Sequence, residues 1–317
     1  MNFIETSKTA FAALNETYYR GSGIFKATMF WDRAELIEMI EDYCEKVDNN
    51  GTAQLTECVN SIVNHNSTNW SSNEYYDDIL WMCLAFIRAS EILNEESYFT
   101  IAKKNFDYVT TNGRTDLGLI EWKEGATQSS AISSLTYVVC ASLIAKRTNN
   151  SQYFELGKEV MNKVFEYLYN PDNGHVYDHV NGDGSIEYFE HVSNAGMFLR
   201  ACGEMYDHTN DENYLVEMDK AASYIIAKKY NSEIMCEHEG GDGAGFKAIL
   251  ARQLAYVGNK YNFPEYVEWM RISAEAAWNN RNKYNLMHND FCQKTEEHKM
   301  YRVFDCHSAV VTLINCI

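Results

Sequence analysis

The hydrophobic pattern of the chain repeats four times. In each repeat an apolar helical stretch ends, a short turn containing Asn follows, and a Tyr opens a second, more charged helical stretch. The repeats cover residues 88–106, 144–165, 204–225 and 256–278, and their opening tyrosines are Tyr98, Tyr153, Tyr214 and Tyr266. Consecutive tyrosines are separated by the length of one helical hairpin plus a loop. The pattern therefore predicts an array of helical hairpins.

Apolar residues spaced at the helical period extend this array to twelve predicted helices. They span about 5–19, 30–47, 54–66, 78–93, 97–110, 129–147, 151–169, 191–208, 212–230, 245–261, 264–280 and 304–316. The even-numbered helices are more apolar and rich in small residues, whereas the odd-numbered helices carry more charge. A helix that is apolar on nearly all sides is enclosed by others, while an amphipathic helix faces solvent. We expect the even-numbered helices to form an inner ring and the odd-numbered helices an outer ring.

The connections between helices alternate in length. Turns that follow even-numbered helices are short, whereas the loops that precede them are long, at 67–77, 111–128, 170–190, 231–244 and 281–303. Long loops on a rigid scaffold commonly carry function. The alternation predicts an all-α fold, an (α/α)6 barrel of six helical hairpins in a single domain over residues 1–317, with the active cleft at the N-terminal ends of the inner helices. A superhelical α-solenoid would show the same hairpins, but it would not need six of them or such unequal loops.

The chain is acidic and poor in proline. Its 317 residues include 45 Asp and Glu against 27 Lys and Arg, so the formal charge is −18. Nucleic acids and anionic membrane surfaces bind basic faces, so we expect neither as a partner. Helix interiors exclude proline, and the chain has only Pro171 and Pro264, as the all-helical prediction requires.

Nine cysteines are scattered singly through the chain, with no CxxC motif and an odd total. They are Cys44, Cys58, Cys83, Cys140, Cys202, Cys236, Cys292, Cys306 and Cys316. This usage predicts reduced thiols rather than a disulfide framework. Residues 1–20 contain no apolar stretch long enough for a signal peptide, and no run elsewhere could span a bilayer. Together these features predict a cytoplasmic protein.

Two adjacent aspartates, Asp77 and Asp78, stand at the start of the fourth predicted helix, close to Tyr75, Tyr76 and Trp81. Acidic residues are common as caps and in the first turn of a helix, which gives the pair a purely structural explanation. The functional explanation is glycoside hydrolysis, in which one carboxyl protonates the leaving oxygen and the other attacks or activates water. Adjacent residues have Cα atoms about 3.8 Å apart, so their carboxyls fit the short separation of a retaining enzyme better than the wide one of an inverting enzyme.

The other long loops supply aromatic and polar side chains suited to a neutral, polyhydroxylated ligand. The aromatic candidates for stacking on sugars are Trp70, Trp122, Tyr177, Tyr188, Phe189, Tyr284, Phe291 and Tyr301. The polar candidates are Glu190, His191, Asn194, Asp242, Lys247, Asp305 and His307. Each could instead serve packing, helix capping or surface polarity. As substrate-binding residues we predict Tyr76, Trp122, Glu190, Asn194 and Lys247, and we predict no metal or other cofactor, since no ligand pairs have a usable spacing.

Residues 75–92, YYDDILWMCLAFIRASEI, resemble the signature of glycoside hydrolase family 76, the endo-α-1,6-mannanases, in which consecutive aspartates are the catalytic pair. Further similar stretches are FWDRAELIEMIEDY (30–43), GHVYDHV (174–180), GFKAILARQLAYV (245–257) and AAWNNRN (276–282). These matches follow the family order over nearly the whole chain. The double Asp and the Phe-Lys stretch are its more specific parts.

The resemblance implies an (α/α)6 barrel, a retaining mechanism and α-1,6-linked mannan or related mannosides as substrate. It assigns Asp77 as the nucleophile, Asp78 as the general acid/base, and Phe246, Lys247 and Asn194 as cleft residues. The chain departs from the family at three places. It has Ser193-Asn194-Ala195-Gly196 where the family usually has Tyr-Asn-Gln-Gly, and Gln128-Ser129-Ser130-Ala131 where the family usually has Lys-Asn-Ala. It has Ala248 where the family has a Gly after Phe-Lys. These departures concern sugar contacts rather than the aspartates.

Three other functions compete with a retaining mannosidase. A transglycosylase of the same family would move glycans onto acceptor sugars and give lengthened products. A sugar epimerase would use a pair of cleft histidines, for which His191 and His307 are candidates. A non-catalytic glycan-binding protein would leave its ligand unchanged.

Overall fold

A computed structural model describes residues 1–26, 28–230, 233–236 and 240–317. Within these residues the chain forms twelve α-helices. They are α1 (Phe3–Tyr18), α2 (Phe30–Lys46), α3 (Thr52–Asn66), α4 (Tyr76–Ile92), α5 (Glu96–Asn112), α6 (Ala131–Thr148), α7 (Ser151–Tyr167), α8 (Val192–Thr209), α9 (Asn213–Tyr230), α10 (Phe246–Lys260), α11 (Pro264–Asn279) and α12 (Val303–Asn315). All twelve predicted helices are present, and each boundary agrees to within two residues. The predicted loop 231–244 lies partly outside the described residues.

The short turns of the hairpins depend on asparagine. Asn94, Asn149, Asn210 and Asn262 follow α4, α6, α8 and α10, and all four have a positive φ, between 51° and 64°. The left-handed backbone conformation ends a helix sharply, and Asn tolerates it better than other residues with a side chain. This explains physically why Asn recurs in the sequence repeat.

The chain divides into two compact units. Unit 1 comprises residues 1–65 and 226–317, and unit 2 comprises residues 66–225. In unit 2, α4 and α8 both contact α6, while α5 lies against α4 and α7 against α6. Helix α6 is buried almost continuously from Ala131 to Ala145, whereas α7 buries a single stripe. Inner and outer helices are therefore distinct within this unit, as their composition predicted; the single domain over 1–317 stays a prediction.

In unit 1, α12 contacts α1, α2, α10 and α11 and is buried along nearly its whole length. Helix α2 is also largely buried, although its sequence is rich in carboxylates. Arg252 of α10 explains this, because its guanidinium lies 3.1 Å from Glu35, 3.1 Å from Glu38 and 2.8 Å from Asp42. Asn315 donates a further hydrogen bond of 3.0 Å to Asp42. A buried charge is tolerated when it is paired in this way.

Short strands organise the loops of unit 2. They are β1 (Ser129–Ser130), β2 (Tyr169–Asn170), β3 (His175–Val176), β4 (His179–Val180) and β5 (Ile186–Glu187). Strand β4 pairs antiparallel with both β1 and β5, and β2 pairs with β3. The sequence does not predict these strands, because two residues are too few to show a strand period. The three-stranded sheet joins the loop before α6 to the loop before α8.

The structure corrects one prediction about the cysteines. Cys236 and Cys292 form a disulfide with Cα atoms 4.8 Å apart, whereas the other seven cysteines are buried thiols outside any disulfide. The prediction that all nine are reduced is therefore wrong for this pair. The cytoplasmic location was inferred partly from reduced thiols, and it stays a prediction without that support. Among the described helices, none has the length and apolar character needed to cross a membrane.

Candidate active site

Asp77 and Asp78 lie in the first turn of α4. The helix begins at Tyr76, and the capping position is held by Tyr75, whose backbone is extended and whose side chain makes no capping hydrogen bond. Neither aspartate is therefore the helix cap, although both occupy the first turn, where acidic residues are also common for structural reasons. The free N–H groups of a helix N-terminus favour negative charge, so this position stabilises an ionised carboxyl.

The loop before α6 is hydrogen-bonded to the start of α4. The Tyr76 N–H donates to the Trp122 carbonyl at 3.0 Å, and the Glu124 N–H donates to the Glu74 carbonyl at 2.7 Å. The rings of Tyr75 and Trp122 lie edge to face, with centroids 5.1 Å apart. These contacts place the Trp122 side chain beside Asp77, to which it donates a hydrogen bond. Trp122 remains 39% exposed, so its ring is accessible to a ligand.

Asp77 is set up to hold a proton near neutral pH. Burial raises the pKa of Asp77 to about 8, and the neighbouring Asp78 acts in the same direction. Hydrogen bonds from the main-chain N–H groups of Asp78 and Asp77 and from Trp122 oppose this rise in pKa. The side chain as a whole is half-buried, while its Oδ1 is shielded from solvent and has no hydrogen-bond partner among the described residues. Two adjacent carboxyls that together retain one proton near neutral pH are suited to acid–base chemistry.

Asn73 positions Asp78. Its Nδ2 donates to Asp78 Oδ2 at 3.0 Å, and its Oδ1 accepts from the Tyr75 N–H at 3.0 Å. Sequence reasoning missed this residue, although an Asn two positions before an extended residue is typical of a side-chain-to-backbone turn. The turn fixes the backbone before α4 and one oxygen of Asp78 at the same time.

Asp178 connects the starts of α6 and α8. Its carbonyl accepts from the Ala131 N–H at 2.9 Å, and its Oδ1 accepts from Asn194 Nδ2 at 3.1 Å. Its Oδ2 lies 2.9 Å from His179 Nδ1, and Gln128 Nε2 lies 3.1 Å from the other ring nitrogen of His179. Asp178 and His179 were quoted only as part of a family match, GHVYDHV. In the described ranges, no three His, Cys, Asp or Glu side chains are grouped so that they could hold a metal ion.

Glu190 belongs to a second polar group in the same unit. Tyr224 donates to Glu190 Oε1 at 3.0 Å, and His175 Nε2 lies 3.8 Å from the same oxygen. The rings of His175 and Tyr224 are stacked, with centroids 4.8 Å apart. The Glu190 side chain is 27% exposed, so it can also face a ligand.

Phe246 and Lys247 lie in unit 1, where Lys247 has internal partners. Its Nζ donates to the carbonyls of Met235 at 3.2 Å and Asn289 at 2.7 Å, and it lies 5.2 Å from the ring centroid of Phe291. Lys247 is only 3% exposed. Its described contacts are those of a buried, structurally satisfied cation, and its role as a cleft residue stays a prediction.

Other polar candidates of unit 1 also have structural partners. Asp305 accepts from the Arg302 N–H at 2.9 Å at the start of α12, and Arg302 Nη2 donates to the Gly241 carbonyl at 2.8 Å. His307 is buried, and its Nε2 lies 3.2 Å from the Glu35 carbonyl. Burial lowers the pKa of His307 to about 3, so the ring is neutral. A buried His307 gives no support to the epimerase alternative, which needs two cleft histidines.

Residues 4–314 match the sequence model of glycosyl hydrolase family 76. The chain belongs to this family. The prediction drawn from residues 75–92 is thereby confirmed.

Among curated proteins, the chain is similar to a mannan endo-1,6-alpha-mannosidase, DCW1, from Candida albicans. The two are 22% identical over 244 residues, which is 68% of this chain and 54% of the relative. The DCW1 protein of Eremothecium gossypii, which carries the same enzyme name, is 23% identical over 63% of this chain and 46% of its own length. The chain thus spans about half the length of the curated relatives it matches.

Solved structures of family 76 share the fold. The GH76A alpha-1,6-mannanase from Salegentibacter sp. HEL1_6 has a TM-score of 0.90 at 20% identity, over 99% of this chain and 98% of that one. An inactive variant of that enzyme, with two consecutive aspartates replaced by asparagine, was solved with α-1,6-mannotriose at the same TM-score and 19% identity, over 99% of this chain and 98% of that one. This likeness confirms the predicted all-α barrel fold class.

Only some of the predicted site residues of this family 76 chain are joined by direct contacts in the described structure. Unit 2 joins the Asp77–Asp78 pair directly to Tyr76 and Trp122 through the contacts at the start of α4. Asn194 and Glu190 lie in the same unit, each within its own polar group. Asn73 and Asp178 were missed because their side-chain hydrogen bonds leave no periodic signal in a sequence.

Proposed function

We propose that the chain is a retaining glycosidase that cleaves α-1,6-mannosidic bonds, with Asp77 as nucleophile and Asp78 as general acid/base. The observation that carries the proposal is the pair of adjacent carboxyls in the first turn of α4, beside an accessible Trp122. Adjacent residues can bring two carboxyls to the separation of about 5–5.5 Å that retaining enzymes use. The name of the similar Candida albicans enzyme and the mannotriose bound by the similar Salegentibacter enzyme support the choice of sugar and linkage.

In the proposed reaction the Asp77 carboxylate attacks the anomeric carbon while Asp78 gives its proton to the glycosidic oxygen. The bond between that carbon and oxygen breaks, the leaving sugar departs with the proton, and a glycosyl ester of Asp77 remains. Water then attacks the same carbon, Asp78 takes the proton of the water, and Asp77 is released as a carboxylate. Two inversions give net retention of configuration.

The proton must be on Asp78 when the sugar is cleaved, although burial favours its presence on Asp77 in the free protein. The pair titrates as a unit because repulsion between the adjacent carboxyls opposes ionisation of both. The N–H groups around Asp77 donate hydrogen bonds to its ionised form. We propose that these donors stabilise the Asp77 carboxylate once the substrate has excluded water.

The test is hydrolysis of α-1,6-mannotriose and α-1,6-mannotetraose by the wild type and by Asp77→Asn and Asp78→Asn. We expect each variant to lose about 10²- to 10⁴-fold in rate, and early products of the wild type to be α-anomers by NMR. Asp211→Asn is the matched control, because Asp211 is an exposed aspartate in the α8–α9 turn. A wild type that is inactive on these sugars, releases β-anomers first or yields only lengthened products contradicts the proposal.

The roles of the two aspartates can be separated with azide and an aryl glycoside of α-1,6-mannobiose that has a good leaving group. Loss of the acid/base leaves the nucleophile able to form the ester, and azide then gives a glycosyl azide of retained configuration. Loss of the nucleophile lets azide attack directly and gives the inverted product. We expect retention with Asp78→Ala and inversion with Asp77→Ala, whereas the reverse result would exchange the two roles.

A further inference from the structure

Two consecutive aromatic side chains, Tyr188 and Phe189, stand exposed between β5 and α8. Tyr188 is 56% exposed and Phe189 is 52% exposed. Single exposed apolar residues are ordinary on protein surfaces, but these two are the only neighbours in sequence among the large exposed hydrophobic residues of the described chain. Adjacent rings left open to water form a surface that a ligand can cover. We refer to Tyr188 and Phe189 as the aromatic platform.

The aromatic platform is supported from within unit 2. The Tyr188 ring lies edge to face with Tyr177, with centroids 4.7 Å apart, and Phe189 lies 4.6 Å from His191. Tyr177 in turn contacts His175 edge to face at 4.9 Å. An aromatic ring held by neighbours in this way loses little conformational freedom when it binds a ligand.

A hydrogen-bond acceptor lies directly beside the aromatic platform. Glu190 follows Phe189, and its Oε1 accepts from Tyr224. Its Oε2 makes no hydrogen bond with any described residue, and its side chain is 27% exposed. An aromatic face beside an available carboxylate oxygen suits a sugar, whose C–H groups pack on rings and whose hydroxyls donate to acceptors. The carboxylate of Glu190 and the formal charge of −18 on the chain both repel an anionic ligand.

The aromatic platform lies on the same side of unit 2 as the aspartates. The loop before α6 is bonded to the start of α4, and β1 of that loop is joined through β4 to β5, which leads into the platform. Helices α4, α6 and α8 contact one another in that order. Packed helices have axes about 8–10 Å apart, so on a ring of six inner helices we expect the start of α8 to lie about 14–17 Å from the start of α4. That distance is too great for contact with the sugar whose bond is cleaved. It corresponds to a sugar further along the same oligosaccharide.

We propose that Tyr188 and Phe189 form a distal subsite that binds a mannose unit several sugars away from the cleaved bond, with Glu190 accepting hydrogen bonds from its hydroxyls. The proposal rests on the proposed function for the identity of the sugar. The subsite makes the enzyme selective for long oligosaccharides and polymer over short ones.

The experiment compares kcat/KM for α-1,6-mannobiose and α-1,6-mannohexaose in the wild type and in the double variant Tyr188→Ala/Phe189→Ala. We expect a loss of about tenfold on the hexaose and a much smaller loss on the biose, since a stacked aromatic contact contributes about that factor. Val216→Ala is the control, because Val216 is 51% exposed on α9 in the same unit. Equal losses at both lengths, or no loss on the hexaose, would overturn the proposal.

A binding measurement separates this proposal from the proposed function. In a background of Asp78→Asn, retardation of the protein by soluble α-1,6-mannan in an electrophoresis gel reports binding without cleavage. We expect the double variant to be retarded less than its parent, and the Val216→Ala protein to be retarded equally. If the wild type cleaves mannan while removal of both rings leaves retardation unchanged, the distal subsite is refuted and the proposed function stands. If the wild type cleaves no mannoside but the rings still control retardation, the proposed function fails, whereas mannan binding by Tyr188 and Phe189 stands.

Discussion

Asp77 in unit 2 and Glu35 in unit 1 have closely similar electrostatics. Burial raises the pKa of each carboxyl to about 8, and each has one buried oxygen without a hydrogen-bond partner in the described part of the chain. Each also has a neighbouring carboxyl that raises its pKa further, namely Asp78 beside Asp77 and Glu38 beside Glu35. By the pKa alone, both would be candidates for catalysis.

The two carboxyls differ in their access and in their partners. Glu35 lies within α2, is fully buried, and pairs at 3.1 Å with Arg252, which lowers its pKa against the effect of burial. Asp77 lies in the first turn of α4, is half-buried, and has no ion pair among the described residues. Its partners are N–H groups and the accessible Trp122.

This difference shows that a raised pKa marks a buried carboxyl and does not by itself mark a reactive one. A cation inside the protein compensates the buried acids of α2 and makes them part of the core. A half-buried carboxyl in the first turn of a helix, with neutral hydrogen-bond donors as its described partners, keeps its proton available to a ligand. Access, and the lack of an ion pair with any described cation, are what distinguish Asp77 from Glu35.

The largest expected effect on stability follows removal of the cation. We expect Arg252→Met to lower the free energy of unfolding by about 3–5 kcal/mol, because it leaves several carboxyls buried without their partner. Denaturant unfolding measures this loss. The control is Arg114→Met, which breaks a pair with the exposed Glu159 and should cost about 0–1 kcal/mol. Equal costs for both substitutions would contradict a compensating role for Arg252.

A smaller loss of stability is expected when the disulfide of unit 1 is removed. Cys236 and Cys292 close a segment of sequence separation 56, and the described part of unit 2 has only free cysteines. We expect the double substitution Cys236→Ser/Cys292→Ser to lower the free energy of unfolding by about 2–4 kcal/mol. A reductant should lower the melting temperature of the wild type without affecting the double variant. Alkylation of nine thiols in the denatured, unreduced wild type would show that the bond is absent.

The smallest expected effect is on the pH dependence of the melting temperature, and it tests the comparison of Asp77 with Glu35 directly. The usual pKa of glutamate is 4.5 and Glu35 is raised to about 8, so between these values the unfolded chain is ionised while the folded chain keeps the proton. Stability is therefore lost as the pH rises through this window. We expect Glu35→Gln to show a smaller fall in melting temperature between about pH 5 and pH 8 than the wild type.

The same window applies to Asp77, whose pKa is raised from 3.8 to about 8. Asp77→Asn should also flatten the fall in melting temperature, but of the two variants only Asp77→Asn should lose mannosidase activity. Glu159→Gln is the control, since Glu159 lies on the surface. A Glu35→Gln protein that loses activity in parallel would abolish the distinction between the two carboxyls.

The sequence predicted the helices well because their signal is periodic and local. Every helix of the described chain was predicted, and the Asn in each short turn was part of the repeat. The burial of α2 was expected only from its place among the even-numbered helices, because its compensating charge, Arg252, lies more than two hundred positions further along the chain. The Cys236–Cys292 bond was missed for a similar reason, since pairing depends on geometry that spacing does not encode.

The candidate site was predicted only in part. Asp77 and Asp78 were found because adjacent acids at a helix start are visible in sequence, and the resemblance strengthened the assignment. Asn73 and Asp178 act through side-chain hydrogen bonds to residues at helix starts, and such bonds give no periodic signal in a sequence. Phe246 was chosen from the resemblance alone. Lys247 was also a polar candidate of the long loops, and the hydrogen-bond partners that the structure gives it are main-chain carbonyls.

The left-handed Asn turns also bear on the order in which the chain folds. Each one lets two helices meet through contacts close in sequence, and such contacts form quickly because little loop entropy is lost. The pairing of β1 with β4 instead joins Ser129 to Val180, far apart along the chain. We therefore expect the hairpins to form early during folding and the loops around Asp178 to become ordered late.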